Sequence, residues 1–150
     1  MSSETQSVTI VMVEDDPGHA VLIEKNLRRA GIVNTILSLK DGGEAAEFLF
    51  GDGSATLRNR PLLIMLDLNL PVLDGYQLLQ RIKKDERTRH IPVVILTTTD
   101  NPREVQRCYD LGCNVYVTKP VEYEHFTEAV RKLGMFLSIV QVPGAEAKNG

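Results

Sequence analysis

Short apolar runs alternate with amphipathic segments along most of the chain. The runs are rich in β-branched residues and leucine, and they fall at residues 8–13, 35–39, 61–66, 92–97 and 115–118. All except the second are almost continuously apolar, which is typical of parallel strands that are covered on both faces. They recur at a spacing of roughly 20–30 residues, which suits strand–helix–strand crossovers. The pattern therefore predicts an α/β fold with a parallel sheet, helices on both of its faces and right-handed connections.

The segments between these runs carry helix start and stop signals. Asp16 followed by Pro17 fits an N-cap and a first helical residue. Asn101, Pro102 and Glu104 resemble a capping box at the start of a later helix. The other helices are predicted over residues 41–50, after Asp74-Gly75 and over residues 122–138.

Length and composition indicate one folded domain. The chain has 150 residues, of which 43% are hydrophobic and 25% charged, as expected for a globular protein with a single core. We expect a flexible N-terminus at residues 1–7, the domain at residues 8–138, and a tail at residues 139–150. Because this tail is too short to fold alone, the sequence predicts no output domain.

Charge and targeting signals exclude several classes of protein. The net charge is −3 and no basic stripe is present, which argues against nucleic-acid binding. The N-terminus lacks the basic region of a signal peptide, and no window approaches the roughly 18 apolar residues of a membrane span. The two cysteines, Cys108 and Cys113, are too few for a disulfide framework or a zinc cluster. We therefore expect a cytoplasmic protein that binds no membrane.

Polar side chains follow the predicted strands at their carboxyl ends, where chemistry gathers in an open parallel sheet. They supply carboxylates, an amide, a hydroxyl and an ammonium group to one pocket: Glu14, Asp15, Asp67, Asn69, Thr97 and Lys119. Asp67 directly follows an apolar run, where an unpaired carboxylate costs several kcal/mol of desolvation energy. Such a residue is expected to be paired, to bind a metal or to react.

The acidic residues of this pocket favour a hard divalent cation. Neighbouring carboxylates repel each other unless a cation lies among them, and Mg²⁺ prefers carboxylates, waters and phosphate oxygens as ligands. The metal and Lys119 would flank Asp67 and stabilise the charge that develops on a transferred phosphoryl group. A carboxylate can act as the nucleophile in such a transfer, which yields an aspartyl-phosphate.

Four motifs resemble those of receiver domains from two-component response regulators. They are VEDD (13–16), LDLNLP (66–71) followed by DG, LTTTD (96–100) and YVTKP (116–120). The resemblance covers about residues 8–135, and the motifs occur in the family's order, each at a strand end. It implies a flavodoxin-like, doubly wound, five-stranded parallel sheet of order 2-1-3-4-5, with five helices in a three-layer arrangement.

The resemblance also assigns roles to individual residues. Asp67 matches the phosphoacceptor, and Mg²⁺ would be bound by Asp15 directly, by Glu14 mainly through water, and by the backbone carbonyl of Asn69. Thr97 matches the hydroxyl that hydrogen-bonds the phosphoryl group, and Lys119 matches the salt-bridging lysine. Tyr116 occupies the position of the aromatic switch, which turns inward when Thr97 moves.

A narrower resemblance is to the small response regulators that pair with phytochrome-type histidine kinases. It rests on the long connection at residues 50–61, on the DLNLP form of the acceptor motif and on a chain that stops soon after FLSIVQVP. It implies a single-domain regulator that accepts a phosphoryl group from such a kinase in a phosphorelay. The regulator would catalyse only its own phosphorylation and dephosphorylation. A downstream histidine phosphotransfer protein is a further partner that such relays use.

We expect phosphorylation to change the face built from the fourth helix, the fifth strand and the fifth helix. This face would carry Val105, Tyr109, Val117 and Tyr123 and could bind a second copy of the chain. The apolar tail at residues 135–142 exceeds what one helix face needs to bury. Both features predict a homodimer.

Two other functions share parts of this pattern. A phosphatase of the haloacid dehalogenase type also uses a strand-end aspartate and Mg²⁺, but it needs an acid where this chain has Asn69. A flavodoxin-like flavin carrier shares the topology. Its phosphate loop after the first strand is rich in Ser, Thr and Gly, whereas residues 14–19 read EDDPGH and would repel a phosphate.

Overall fold

We describe the protein from a computed structural model that covers residues 8–29, 31–51, 61–70, 74–98 and 101–118. Within these residues it forms five strands and four helices. In chain order they are β1 (Thr9–Val13), α1 (Pro17–Arg29), β2 (Ile36–Leu39), α2 (Gly42–Phe50), β3 (Leu62–Asp67), α3 (Gly75–Lys84), β4 (Val93–Thr97), α4 (Pro102–Asp110) and β5 (Val115–Thr118). The predictions that concern Lys119, Tyr123, the fifth helix over residues 122–138 and the two ends of the chain lie outside the described residues.

The five strands form one parallel sheet in the order β2-β1-β3-β4-β5. This confirms the flavodoxin-like topology. The register aligns Val13 with Leu66, so the residues that follow them, Glu14 and Asp67, lie side by side where β1 and β3 end. Asp67 in turn aligns with Leu96 of β4. The register therefore brings polar residues that are far apart in sequence to one edge of the sheet.

The sheet is covered on both faces, which explains why its inner strands are continuously apolar. One face packs with α2, α3 and α4 in a cluster that includes Val11, Ile64 and Ile95. The other face packs with α1 in a cluster that includes Ile10 and Met65. Each inner strand thus sends alternate side chains into two separate apolar layers.

The structure corrects one prediction about the proposed docking face. Val117 was predicted to lie on that face, but it is 8% exposed and belongs to the cluster on the α1 side of the sheet. Successive residues of a strand point to opposite faces, so Val117 and its neighbour Tyr116 cannot both face the same layer. Tyr116 packs against the opposite cluster.

The helix starts agree in part with the sequence signals. The Oδ1 atom of Asp16 accepts hydrogen bonds from the backbone N–H groups of Gly18 and His19, at 2.8 and 3.1 Å, as predicted for an N-cap. A reciprocal capping box occurs at Asp74 and Gln77, before α3. None of the described helices is long and apolar enough to cross a membrane.

Candidate functional site

Three carboxylates meet at the carboxyl edge of the sheet. Glu14 and Asp15 follow β1, Asp67 is the last residue of β3, and each offers an oxygen within 4.8 Å of the others. Glu14 and Asp67 are both 3% exposed, whereas Asp15 is exposed. Two of the three acids are therefore buried. Charge repulsion and desolvation cost most in a buried environment.

The backbone after β3 holds the Asp67 side chain in place. The backbone N–H of Asn69 donates a hydrogen bond to Oδ1 of Asp67 at 3.0 Å. The side chain of Asn69 is exposed, so the described contact to Asp67 is made by its backbone. The hydrogen bond fixes the orientation of the carboxylate, since a short side chain bonded to its own loop has few rotamers left.

The start of α3 packs directly against this loop, and this requires a glycine. The N–H of Gly75 donates to the carbonyl of Leu68 at 3.0 Å. A Cβ atom at Gly75 would lie 2.5 Å from the backbone oxygen of Asp67 and 2.5 Å from Cα of Leu68. The sequence shows Asp74-Gly75 as a helix start, but only the structure reveals that the glycine permits close approach to Asp67.

The second acidic strand end is held by its own loop and by α1. The Oε2 atom of Glu14 accepts a hydrogen bond from the N–H of Asp16 at 3.1 Å. His19, in the first turn of α1, places Nδ1 3.8 Å from Oε2 of Glu14 and 3.8 Å from Oδ2 of Asp16. No role was predicted for His19, although its three-residue spacing from Asp16 is a signal in the sequence that indicates this contact.

The predicted hydroxyl and aromatic residues lie on the two strands beyond β3. Thr97 ends β4 and is fully buried. Tyr116 lies on the edge strand β5, aligned with Ile95, and is half-buried. Tyr109 of α4 is 46% exposed, and its phenol lies near the backbone of Tyr116 in β5. Burial raises the pKa of this phenol, and the backbone of Tyr116 has a smaller, opposite effect.

The donor set at this edge fits a hard divalent cation. All three side chains of the cluster are carboxylates, which are the ligands that Mg²⁺ and Mn²⁺ accept, and two of them are buried. A cation there would offset the repulsion among the three negative groups. The structure brings together Glu14, Asp15, Asp67 and the backbone of Asn69, and Thr97 ends the neighbouring strand β4. Lys119 lies outside the described residues.

A doubly wound parallel sheet with an acidic pocket at its carboxyl edge defines a receiver-type domain. A sequence model of the family described as "Response regulator receiver domain" matches residues 10–131. The chain therefore belongs to the response regulator receiver domain family.

Solved and curated relatives agree with this family. The crystal structure of a response regulator receiver domain from Rhodospirillum rubrum is 57% identical, with a TM-score of 0.77, and the alignment covers 88% of this chain and 94% of that one. The response regulator Rcp1 of Synechocystis is 35% identical over 147 residues, which are 97% of this chain and 100% of Rcp1. The Mn²⁺-bound form of Rcp1 has a TM-score of 0.71, with 36% identity over 81% of this chain and 88% of that one.

A phytochrome response regulator is also similar. The phosphorylated cyanobacterial phytochrome response regulator RcpA is 34% identical, with a TM-score of 0.74, over 87% of this chain and 94% of that chain. The solved structures that resemble this protein thus include a phytochrome response regulator.

Proposed function

We propose that this protein is a single-domain response regulator that accepts a phosphoryl group on Asp67 from a histidine kinase. The observation that carries the proposal is the buried position of Asp67 at the end of β3, inside a cluster of three carboxylates. The N–H of Asn69 orients this carboxylate, which lies beside two more acids. A buried, oriented carboxylate in an acidic cluster suits a nucleophile that reacts next to a bound cation.

The proposed transfer is a displacement at phosphorus. A carboxylate oxygen of Asp67 attacks the phosphorus of a phosphohistidine, the phosphorus–nitrogen bond breaks, and the released imidazole nitrogen keeps the electron pair and takes up a proton. An acyl phosphate forms on Asp67. In the reverse half of the cycle, water attacks phosphorus, inorganic phosphate leaves, and the carboxylate is restored. The protein is therefore a switch that changes only its own state.

Three side chains are proposed to hold Mg²⁺ for this chemistry. Asp15 and Asp67 would bind the ion through their carboxylates, Glu14 would do so mainly through water, and Asn69 would offer its backbone carbonyl. The cation supplies positive charge next to the phosphoryl oxygens when it is bound. The N–H of Asn69 orients the Asp67 carboxylate. The hydroxyl of Thr97 is proposed to hydrogen-bond the phosphoryl group.

The kinase is proposed to be of the bacteriophytochrome type. Support comes from the name of a similar solved protein, the phytochrome response regulator RcpA. The receiver is proposed to occupy residues 8–138, with residues 139–150 as a tail. A histidine phosphotransfer protein is the proposed next acceptor in the relay.

Phosphorylation is proposed to alter the face that includes α4 and β5, through Thr97 and Tyr116. Lys119 is proposed to form a salt bridge with the phosphoryl group. On this face Val105 is half-buried and the Tyr109 side chain is 46% exposed. Both could contact a second copy of the chain, so we propose a homodimer at this surface. The size of the protein in solution, measured on dilution with and without phosphorylation, tests this point, and a monomer under every condition contradicts it.

The first experiment measures the mass of the intact protein after incubation with Mg²⁺ and acetyl phosphate. We expect one phosphoryl adduct on the wild type and none on Asp67→Asn. Asp85→Asn, at the opposite edge of the sheet, is the matched control and should be phosphorylated like the wild type. Equal adducts on Asp67→Asn and the wild type would contradict the assignment of Asp67.

A second experiment tests the donor. We expect an autophosphorylated phytochrome-type histidine kinase to transfer its phosphoryl group to the wild type faster than an unrelated histidine kinase does. Equal rates with the two kinases would contradict the phytochrome pairing. The absence of any adduct with acetyl phosphate and with either kinase would contradict phosphoryl acceptance itself.

A further inference from the structure

Tyr76 is the second residue of α3 and is fixed to the loop that carries Asp67. Its neighbour Gly75 is in backbone contact with that loop, through the hydrogen bond to Leu68 and the absence of space for a Cβ atom beside the Asp67 carbonyl. The start of α3 is therefore closely packed on the loop that carries Asp67. We expect a shift of the backbone at Asp67 to displace Tyr76 as well.

The side chain of Tyr76 reaches across to α4 and contacts one face of that helix. Its hydroxyl donates a hydrogen bond to Oε1 of Glu104, and Cζ of Arg107 lies 3.9 Å from the centre of its ring. The buried thiol of Cys108 also lies close to this hydroxyl. Residues 104, 107 and 108 have the spacing of one helix face, so three neighbouring positions of α4 surround a single tyrosine.

These contacts correct the sequence prediction for Glu104. The sequence placed Glu104 in a capping box with Asn101, in which its carboxylate would bond the start of its own helix. In the structure the Asn101 side chain accepts from the N–H of Arg103, and the Glu104 carboxylate accepts from Tyr76 of α3. Glu104, which the sequence suggests as a capping residue, thus contacts a second helix instead.

The contacts between Tyr76 and α4 are of the stronger kinds. A hydrogen bond to an ionised acceptor is about twice as strong as one between neutral groups, and a guanidinium over an aromatic ring adds cation–π attraction. Burial, followed by the hydrogen bond to Glu104, raises the pKa of the Tyr76 phenol well above its usual range. The hydroxyl therefore stays protonated and can keep donating at all physiological pH values.

We propose that Tyr76 is a positioning residue that couples the loop bearing Asp67 to helix α4. The coupling rests on the proposed phosphorylation of Asp67 and adds a second route to the proposed face, separate from Thr97 and Tyr116. It passes through backbone contact from Asp67 to Gly75 and then through the Tyr76 side chain to Glu104 and Arg107. A phosphoryl group on Asp67 moves α4 through this contact.

The test compares amide hydrogen exchange before and after phosphorylation with Mg²⁺ and acetyl phosphate, in the full chain. Tyr76→Phe keeps the ring under Arg107 and removes the hydroxyl, and Glu104→Ala removes the acceptor. Glu104→Gln keeps an acceptor oxygen and serves as the conservative variant. Gln106→Ala is the matched control, because Gln106 bonds Asp110 on the surface of α4 and makes no described contact with α3.

In the wild type we expect phosphorylation to change the exchange of residues 68–78 and of residues 102–110. In Tyr76→Phe and Glu104→Ala the adduct should still form, the change at residues 68–78 should remain, and the change at residues 102–110 should be lost. Glu104→Gln and Gln106→Ala should respond like the wild type. Mere loss of stability would not produce this split between the two segments.

Three results would overturn the coupling while leaving phosphorylation intact. They are a phosphorylated wild type with unchanged exchange in α4, a Tyr76→Phe variant that responds like the wild type, and a Gln106→Ala control that loses the response. A wild type that forms no adduct at all would instead overturn the proposed function, and the coupling with it. Intact mass, recorded on every sample, distinguishes these cases.

Discussion

The two edges of the sheet differ in how their polar side chains are arranged. At the amino edge, side chains bond backbone groups of neighbouring segments: Asn34 Nδ2 to the Val8 carbonyl, Lys83 Nζ to the Ile91 carbonyl and Thr88 Oγ1 to the Ile82 carbonyl, each at 2.7 Å. At the carboxyl edge, Glu14, Asp15 and Asp67 bring three like charges within 4.8 Å. One edge is assembled from complementary partners and the other from groups that repel.

This difference separates stability from function within one fold. No buried side-chain nitrogen or oxygen among the described residues lacks a hydrogen-bond partner, so both edges satisfy their polar atoms. Among the residues that the structure describes, the carboxyl edge concentrates charge of one sign, which lowers stability and favours binding of a cation. Substitutions at the amino edge should therefore destabilise the fold, and removal of an acid at the carboxyl edge should stabilise it.

The largest effect on stability is expected at Gly75, where the carboxyl edge is most tightly packed. Gly75→Ala places a Cβ atom 2.5 Å from the Asp67 oxygen and from Cα of Leu68, and both are backbone atoms that cannot turn away. We expect a loss of about 3 kcal/mol in the free energy of unfolding, at the upper end for an overpacked site. Urea denaturation measures it.

The control for this substitution is Gly18→Ala. A Cβ atom there lies 3.2 Å from the exposed Oδ1 of Asp16, which is the end of a side chain that can move. Its effect should stay within about 1 kcal/mol. Equal losses in the two variants would show that packing at Asp67 is less tight than the structure indicates.

The next effect concerns the amino edge. Thr88 is fully buried and donates to the Ile82 carbonyl at the end of α3. Thr88→Val keeps the volume but removes the donor, so we expect a loss of about 2 kcal/mol in unfolding free energy. Thr35→Val, an exposed threonine at the same edge, should change stability by less than about 0.5 kcal/mol. If Thr88→Val left the free energy of unfolding unchanged, the stabilising role proposed for this edge would be contradicted.

Alkaline pH should weaken the same edge. Burial raises the pKa of the Cys113 thiol from 9.0 to about 12 in the folded protein. Because the pKa is raised in the folded protein, the neutral thiol contributes fully to the free energy of unfolding below pH 9. This contribution is lost as the pH rises towards 12, because in this range the unfolded chain binds fewer protons than the folded protein. We expect a loss of about 1.4 kcal/mol per pH unit from this thiol.

The slope is measured by urea denaturation at a series of alkaline pH values. The serine in Cys113→Ser does not ionise in this range. The free energy of unfolding of this variant should therefore depend less steeply on pH, by the contribution of one thiol. The remaining slope should come from the other groups whose pKa burial raises, which are Cys108, Tyr109 and Tyr76. An identical slope in Cys113→Ser and the wild type would contradict the assignment.

The smallest effect has the opposite sign. Glu14→Gln removes one of three neighbouring negative charges, so we expect the metal-free protein to gain about 1 kcal/mol. Addition of Mg²⁺ should then stabilise the wild type more than the variant, because the variant has lost a ligand charge. Thermal denaturation with EDTA and with MgCl₂ gives both values.

Glu24→Gln is the control for the acid substitution. It changes an exposed pair with Arg28 on α1, at 3.9 Å, and should have little effect with or without the metal. If Glu14→Gln destabilised the metal-free protein, then the acids of the carboxyl edge would be stabilising partners, and the contrast between the two edges would fail.

Most of the fold followed from local patterns. The five apolar runs became strands within one residue of their predicted bounds at each end, since burial of both faces leaves a clear signal in each inner strand. Asp16 proved to be an N-cap, because its contacts lie within three residues of it. The strand order followed from resemblance to a known family, since apolar periodicity does not specify which strands become neighbours.

The mistaken predictions were those that depended on a partner elsewhere in the chain. Glu104 reads as a capping residue, yet it accepts from Tyr76, which lies 28 residues away. Val117 reads as a surface residue of a docking face, yet its place on β5 turns it towards the α1 layer. In both cases a contact across the fold decided the environment.

The sequence by itself determined the elements of this protein and the kinds of residue at each strand end, because both depend on neighbours along the chain. Only the tertiary structure decided that Glu14 and Asp67 meet, since this depends on the alignment of Val13 with Leu66 across two strands. It also decided the contact of Tyr76 with α4, which depends on how two helices pack on the sheet. Distances between remote residues are set by packing, and local sequence carries no direct record of them.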